Sequence, residues 1–438
     1  MIALAPKREL TAARHIRTTA GAMVAIVLGA LIRLALLAAP AHGMDTWVYK
    51  HWTWRLVHEP VRRFYIDDGQ AFPDHLPGDM WLLKLLGELV HAVHSHIDFY
   101  SLAYTAIIAG MVTGFDALLA VILWKVGASI GRGREGAIAG LAYWCMPAPM
   151  FVACVWGQTD GIGAAIAVGA LALAIRGRYS WAFVVLTFCV LVKPQYALLA
   201  LPLLAGWWHA DSDATRKWLR DVAVTATGCL VMMAAIIAPF DMSIAGEWGR
   251  WSLVGRIQLS ADLYPGSVFG AHNLWGALYP FRPAPNDGVN WLLGLSRQSV
   301  GLILFVITIA IVSWALVRRW QGAITLVLAS NVLMFGFFLV TTRMHERYLF
   351  PVLGTSMLLA VLNTRYWRYA AAVNALVFAN IALRYVWPLN NSLTGWRYVA
   401  GFGWLEHPIT VRLLVLATVL VFVYLVLQLF TRPVPTRP

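Results

Sequence analysis

The chain has 438 residues, of which 60% are hydrophobic and only 13% are charged. A soluble domain carries roughly 25% charged residues, so this composition excludes a soluble protein and indicates one embedded in a membrane. The net charge of +13 would suggest nucleic-acid binding in a soluble protein. Cytoplasmic loops of membrane proteins carry excess lysine and arginine, however, so we expect no nucleic-acid partner.

Long, continuous apolar segments recur along the chain and predict helices that span a bilayer. We expect an all-α polytopic membrane protein with about 12 transmembrane helices and no separate soluble domain. The basic start leads into a full-length span without an evident processing site, which argues against a cleaved signal peptide. The predicted spans lie at about 20–39, 99–124, 136–155, 159–175, 180–192, 195–208, 221–240, 299–317, 323–341, 348–363, 369–388 and 409–430.

The region 180–208 is ambiguous, because it fits either one broken helix or two short spans. Lys193 and Pro194 interrupt its middle, and a proline inside a helix removes a backbone hydrogen bond. The sequence therefore favours two short spans joined by a turn.

Charge divides the loops into two sets. One set is short, basic and nearly free of acids, as cytoplasmic loops are, and an even number of spans places both termini on that side. The other set is longer and mixes basic residues with acids and histidines. This segregation predicts one extracytoplasmic site assembled from several loops. The polar clusters of the second set lie at 43–98, 156–160, 193–195, 241–297 and 343–347.

The first long outer loop, 40–98, is predicted to contain two helices. On a short helix from Asp45 to Arg55, the residues Asp45, Tyr49 and Trp52 share one face. Turn residues follow, and then residues 79–96 form an amphipathic helix that is expected to lie in the membrane interface. The second long outer loop, 241–297, predicts short helices and turns, some of which order only with substrate.

Short motifs in the outer loops occur in an order that resembles the GT-C glycosyltransferases, which use polyprenyl-phosphate sugars as donors. The chain is similar in particular to dolichyl-phosphate-glucose glucosyltransferases and to bacterial polyprenyl-phosphate-mannose mannosyltransferases. Arg347 stands where eukaryotic relatives carry lysine, and Gly78 where they favour a second proline. The motifs are residues 45–52 (DTWVYKHW), 72–81 (FPDHLPGDMW), 156–160 (WGQTD), 193–195 (KPQ), 269–275 (FGAHNLW) and 344–348 (MHERY).

The resemblance implies a single GT-C transmembrane domain over residues 1–438, multi-pass in a bacterial-type inner (plasma) membrane, with both termini cytoplasmic. It implies transfer of a hexose, mannose or glucose, from a polyprenyl-phosphate-linked donor to a lipid-linked glycan, glycolipid or other hydroxyl acceptor. The active site would be extracytoplasmic. No cofactor is implied, because the polyprenyl-phosphate sugar is itself a substrate.

Asp45 occupies the position of the family's catalytic base. Such a base takes the acceptor proton while the hydroxyl attacks, and direct displacement of the phosphate inverts the anomeric carbon. The alternative for Asp45 is an ordinary N-cap of a short helix. The two roles are compatible with each other.

The cluster of His345, Glu346 and Arg347 is interpreted as a donor-phosphate site. Arginine suits phosphate because its planar fork donates paired hydrogen bonds, and Glu346 would orient one of the cations. The alternative is an interfacial cluster with a snorkelling arginine, and Arg343 is interpreted as a flanking charge. Lys193 is either a second phosphate ligand or a lysine that snorkels.

Aromatic side chains and planar polar groups next to them predict contacts with sugars. Beside Trp156, the amide of Gln158 and the carboxylate of Asp160 would hold sugar hydroxyls. A role in capping the start of a helix explains these residues equally well. Loop packing is the alternative for residues 272 and 273, and interfacial anchoring for residues 51 and 52. The substrate-binding candidates are Glu346, Gln158, Asp160, His51, Trp52, His272 and Asn273.

Two other features are interpreted as structural. Asp116 lies within a span and must therefore pair or line a cavity. Histidines 91, 94 and 96 have loosely ligand-like spacing, but no cysteine or paired carboxylate completes a set, so we expect no metal. The cysteines are expected to pack in or near the spans; they are Cys145, Cys154, Cys189 and Cys229.

Two other functions remain open at this point. A flippase or transporter of a lipid-linked glycan would need ionisable residues near the bilayer midplane. An oligosaccharide polymerase or ligase would share the outer site but would take a diphosphate-linked donor. The polar clusters lie on one side, which favours chemistry at an interface over alternating access.

Overall fold

The structure, a computed structural model, describes residues 5–38, 43–66, 71–211, 215–245, 252–280, 284–386 and 407–431. Helices dominate these residues, and the strands are only two or three residues long. Six helices are long and apolar enough to cross a membrane. The protein is therefore a helical multi-pass membrane protein, as its composition predicts. The six are Leu102–Ser129, Gly133–Trp156, Thr215–Phe240, Arg297–Arg318, Ala323–Val340 and Pro408–Phe430.

The first half of the chain supplies the first outer loop and the hairpins that support it. A π-helix, Val152–Trp156, continues from α6, and a 3₁₀-helix, Pro194–Leu199, lies between α8 and α9. The α-helices are α1 (Ala5–Leu36), α2 (Gly43–His58), α3 (Pro77–Val93), α4 (Leu102–Ser129), α5 (Gly133–Trp144), α6 (Pro147–Phe151), α7 (Asp160–Ile175), α8 (Tyr179–Val192) and α9 (Ala200–Asp211).

The second half contains the second outer loop and the most deeply buried helices. Strands β1 and β4 pair in parallel, and β2 pairs with β3 in antiparallel fashion. The helices are α10 (Thr215–Ile237), α11 (Leu253–Asp262), α12 (Leu274–Leu278), α13 (Arg297–Arg318), α14 (Ala323–Val340), α15 (Pro351–Leu362), α16 (Trp367–Val386) and α17 (Pro408–Phe430). The strands are β1 (Val268–Phe269), β2 (Asn290–Leu292), β3 (Leu295–Ser296) and β4 (Met344–His345).

All twelve predicted spans coincide with helical segments of the structure. Several of these helices are shorter than a bilayer requires, however, because a helix rises only about 1.5 Å per residue. The shorter apolar helices include Asp160–Ile175, Tyr179–Val192 and Pro351–Leu362. The number of membrane crossings therefore stays a prediction.

The ambiguous region 180–208 folds into two antiparallel helical segments. Helix α8 ends at Val192, and Lys193 adopts an extended backbone conformation before the 3₁₀-helix. The ring centroids of Tyr179 and Trp207 are 6.2 Å apart, whereas one continuous helix would separate them by about 42 Å. The chain therefore reverses at Lys193 and Pro194, as predicted.

Helices α4 and α5 pack closely because small residues line their contact. A Cβ on Gly136 would lie 2.9 Å from the Cα of Gly127, and one on Gly140 would lie 2.5 Å from the Ala120 carbonyl oxygen. Glycines four residues apart allow helix backbones to approach in this way. The contact fixes the hairpin from which the polar turn after Trp156 projects.

Two arginines, the buried Arg256 and the half-buried Arg343, hold the second outer loop in place. Arg256 donates to the carbonyl oxygens of Tyr65 (2.9 Å) and Pro73 (3.3 Å), so it joins α11 to the first outer loop. Arg343 donates to Asp287 through Nε (2.8 Å) and Nη2 (3.1 Å). Arg343 is therefore a clamp of the loop, and its interpretation as a flanking charge is wrong.

Helix α3 is amphipathic, as predicted, but its apolar residues divide into two groups. Met80 and Leu83 are buried against the first outer loop. Leu85, Leu89 and Val93 are 58%, 59% and 91% exposed. A stripe of exposed apolar side chains at a spacing of four residues fits a helix that rests on lipid.

Asp116 forms a buried ion pair in the middle of α4. Its Oδ2 lies 3.6 Å from Nη2 of Arg33, and the Tyr143 hydroxyl donates to its Oδ1 at 3.0 Å. Arg33 also stacks 3.8 Å from the Trp144 ring centre. The acid within a span therefore pairs, as the sequence requires.

We expect the pair to behave cooperatively when it is mutated. Asp116→Leu leaves Arg33 buried and uncompensated, which should cost about 3–5 kcal/mol, while the double variant Asp116→Leu/Arg33→Met should be more stable than either single variant. Thermal unfolding of the purified protein in detergent measures the three values. Additive losses in the double variant would contradict a direct pairing.

Candidate functional site

Helix α2 carries Asp45 on the face that the sequence predicts. Asp45 and Tyr49 both reach Gln158, and the Trp52 ring packs edge-on against Tyr49 at 5.6 Å. Spacings of four and three residues place the three side chains on one side of a helix. This face of α2 is turned toward the loop that precedes α7.

The turn at Gly157 brings that loop against α2. The π-helix ends at Trp156, and Gly157 has φ +81°, in the left-handed region that favours glycine. A Cβ at Gly157 would lie only 2.5 Å from Cγ2 of Thr46. Both the backbone conformation and the close contact therefore require glycine, and π-turns of this kind are frequent at functional sites.

Two donors from this loop hold the Asp45 carboxylate. Trp156 Nε1 donates to Asp45 Oδ2 at 2.8 Å, and Gln158 Nε2 donates to the same oxygen at 2.5 Å. The other end of the Gln158 amide accepts from the Tyr49 hydroxyl at 2.7 Å. Gln158, expected at the sugar, therefore orients Asp45 instead, because both of its polar atoms are already bonded.

The polar network continues behind Asp45 to residues that the sequence analysis did not select. The Thr159 hydroxyl lies 3.5 Å from that of Tyr49 and donates to Asp79 Oδ2 at 3.2 Å. His75 Nδ1 contacts the same oxygen at 2.5 Å, and Asp79 is fully buried. Burial and the charges of Asp79 and Asp45 raise the pKa of Tyr49, so it stays a donor. In the sequence, the spacing of four residues between His75 and Asp79 is the feature that could have indicated this contact.

Arg347 lies beside the first turn of α7. Its Nη1 donates to Glu346 Oε1 at 2.8 Å, so Glu346 holds the guanidinium as predicted. Its Nε lies 3.9 Å from Asp160 Oδ2, too far for a hydrogen bond. Within the described residues neither of these two buried atoms has a hydrogen-bond partner. Burial opposes the charge of Arg347, but Glu346, Asp45 and Asp160 overcome it and raise its pKa.

His345 is held next to Arg347 by the pairing of β4 with β1. Its ring stacks on Phe269 at 5.2 Å and meets Tyr264 edge-on at 4.8 Å. Burial, followed by the positive charge of Arg347, lowers the pKa of His345 to about 4. Near neutral pH it is therefore an uncharged imidazole that donates one N–H.

Lys193 reaches toward the same region from the turn between α8 and the 3₁₀-helix. Its Cγ lies 3.2 Å from the position of a Cβ on Gly163, one turn beyond Asp160 on α7. The residue is only 8% exposed, and its ammonium forms no hydrogen bond or ion pair with any described residue. Because no described carboxylate neutralises this ammonium, it can attract an anionic ligand.

Four other candidates lie elsewhere or are already bonded. His51 lies about 120° around α2 from Asp45, where its Nδ1 bonds the Tyr100 hydroxyl at 2.8 Å. Trp52 is 1% exposed and is a core residue, not a substrate contact. The amide of Asn273 caps α12 and donates to two carbonyl oxygens, so loop packing explains it. His272 is buried near Glu346, and burial lowers its pKa to about 4.

The site thus combines Asp45, Asp160, Lys193, Glu346 and Arg347 from four separate segments of the chain. Among the residues described, no group of three histidine, cysteine, aspartate or glutamate side chains is arranged for a metal ion. Comparison of the chain with protein-family models finds no matching family, and comparison with curated proteins finds no match.

Acid should destabilise the protein through its buried histidines. The pKa values of His272 and His345 are lowered to about 4, against an ordinary value near 6.5. The unfolded chain then binds more protons between these values, so stability is complete above about pH 6.5 and falls as the pH drops toward 4.

The double variant His272→Gln/His345→Gln should show a shallower dependence of melting temperature on pH across this window. The control is His94→Gln/His96→Gln, which changes two exposed histidines of the first outer loop. Equal slopes for the wild type and the first variant would contradict the argument.

Proposed function

We propose that the protein is a GT-C-type membrane glycosyltransferase that transfers a hexose from a polyprenyl-phosphate-linked donor to a hydroxyl acceptor. The observation that supports this best is an oriented carboxylate, Asp45, whose charge acts on Arg347, an arginine that keeps a buried donor without a hydrogen bond among the described residues. One group suits proton removal and the other suits a phosphate oxygen. The proposal places the site on the extracytoplasmic face of a plasma membrane, with mannose or glucose as the sugar.

In the proposed reaction, the acceptor oxygen attacks the anomeric carbon while the bond from that carbon to the phosphate oxygen breaks. Asp45 takes the hydroxyl proton, and the polyprenyl phosphate leaves with the electron pair. Trp156 and Gln158 fix the carboxylate, so less orientational freedom is lost when the acceptor binds. A single displacement of this kind inverts the anomeric centre.

The phosphate would bind between Arg347 and Lys193. Nε of Arg347 lacks a hydrogen bond within the described residues, and the ammonium of Lys193 lacks any partner there. Both groups can meet the negative charge that grows on the leaving oxygen. Neutral His345 adds a donor, not a charge. Asp160 then becomes available for a sugar hydroxyl, because its contact with Arg347 is long.

The transporter alternative receives less support from the contacts of Asp116. A flippase would use ionisable groups near the midplane to bind or couple. Asp116 is instead paired with Arg33 and bonded to Tyr143, so the pair is neutral overall. The polymerase or ligase alternative differs from the proposal only in a diphosphate-linked donor, which donor profiling distinguishes.

Asp45→Asn should lower the transfer rate by roughly 10²- to 10⁴-fold, because the amide cannot accept the proton. The assay uses polyprenyl-phosphate mannose and glucose with lipid-linked glycan and glycolipid acceptors. Asn retains an oxygen for Trp156 and Gln158, so the melting temperature should stay near that of the wild type.

The matched control is Glu88→Gln, which neutralises an exposed carboxylate of the same outer loop. It should leave turnover unchanged. Near-normal turnover in Asp45→Asn would contradict the proposed mechanism. Lipid translocation in vesicles without sugar transfer would favour the transporter alternative.

Arg347→Lys should retain part of the activity, because it keeps a charge but loses the fork, while Arg347→Met should lose roughly 10²–10³-fold in kcat. Loss of Arg347 also leaves Glu346 buried without its partner. The double variant Glu346→Gln/Arg347→Met removes this unpaired buried charge. If the double variant recovers both stability and activity, Arg347 has only a structural role.

A further inference from the structure

A cavity lies at the opposite end of the helix bundle from Arg347. Its volume is about 750 Å³, within the usual range for ligand pockets. Helix α15 separates the two places, because it begins just after the Arg347 cluster and ends just before Arg365. The lining comes from the 3₁₀-helix Thr364–Tyr366, the start of α16 and the second half of α17. It comprises Thr364, Arg365, Trp367, Arg368, Tyr369, Ala372, Leu420, Val421 and Tyr424.

The cavity holds two arginines, Arg365 and Arg368, that form no ion pair with any described residue. The described residues of 363–386 and 407–431 include no aspartate or glutamate. Arg365 donates to the Tyr366 hydroxyl, but its buried Nε has no partner among the residues described. Arg368 is exposed and forms no hydrogen bond or ion pair with any residue that the structure describes. Two arginines with donors to spare indicate an anionic ligand.

The backbone adds to the same electrostatic field. A 3₁₀-helix, Thr364–Tyr366, runs directly into α16 at Trp367, and this helical start lies in the wall of the cavity, with the N–H groups of Arg365 and Trp367 bonded to Asn363 and Thr364. The N-terminus of a helix carries a partial positive charge and favours anions. The arginines, acting together with the helix end, make phosphate the best-matched chemistry.

The remaining wall fits the apolar part of a lipid. Leu420 and Val421 belong to α17, one of the helices long enough to cross a membrane, and Leu420 is 60% exposed. Trp367 and Tyr424 are of the residue types that sit at headgroup level in membrane proteins. The two arginines match the charged head of an amphiphile, and the adjacent apolar face of α17 matches its hydrocarbon part. A free anion would contact the arginines but not the apolar face.

We propose that this cavity binds the phosphate headgroup of an anionic phospholipid, with Arg365 and Arg368 on the phosphate and an acyl chain along Leu420 and Val421. The site is separate from the Asp45 site and does not depend on the function proposed for it. A cavity that is basic at one end and apolar along α17 is the expected form of such a site.

The test uses the full-length protein in nanodiscs of phosphatidylcholine with and without phosphatidylglycerol. Phosphatidylglycerol should raise the melting temperature of the wild type. Arg365→Gln/Arg368→Gln should abolish that rise and weaken the apparent affinity for phosphatidylglycerol roughly thirty-fold, the effect expected for two basic residues near a lipid surface.

The matched control is Arg318→Gln/Arg319→Gln, which removes the same charge from the end of α13, outside the cavity. It should keep most of the rise. Equal losses in both double variants would mean that only the general surface potential acts, and would overturn the proposal. Inorganic phosphate is the second probe: if it stabilises the detergent-solubilised protein as strongly as phosphatidylglycerol does, the site takes a free anion and the lipid assignment is wrong.

Discussion

The contact between α2 and the turn at Gly157 is the constraint on which the candidate site depends. A glycine at this position allows the left-handed backbone and leaves room for Thr46, whose Cγ2 lies 2.5 Å from the position of the missing Cβ. This approach brings Asp45 within reach of Trp156 and Gln158. A larger residue would push α2 away, and the carboxylate would lose these two donors.

The site has two parts: a hydrogen-bonded network that orients Asp45, and a charged cluster around Arg347. Behind Asp45, the buried Oδ1 of Asp79 lacks a partner among the described residues. The network in direct contact with Asp45 is saturated, because Gln158 accepts from Tyr49 and donates to Asp45. The network in front of it is not, since the Nε of Arg347 is buried without a hydrogen bond among the described residues. Unsatisfied buried donors cost stability. Their place beside a fixed carboxylate is typical of a binding site, where a ligand completes the bonding.

Hydropathy and proline placement predicted the helices and the reversal at Lys193, and charge bias predicted that Asp45, Asp160 and Arg347 lie on one side of the membrane. The individual roles were less predictable. Gln158 turns toward Asp45 because of a π-helix and a left-handed glycine, which local propensity does not encode. Trp52 and Asn273 stand in polar motifs, yet one is core and the other a helix cap. Sequence shows which groups are present, but contacts across 100 residues decide which remain unbonded.

The two ends of α15 differ in how their charge is arranged, and this difference governs what each can hold. At the Arg347 end, cations and carboxylates are buried together and largely compensate each other, so a ligand must match a geometry to displace those contacts. At the Arg365 end, the described residues of 363–386 and 407–431 include no aspartate or glutamate, so these segments do not neutralise the arginines. Salt screens exposed charges such as Arg368 more than buried ones. Selectivity therefore belongs to the first end, and general affinity for anionic headgroups to the second.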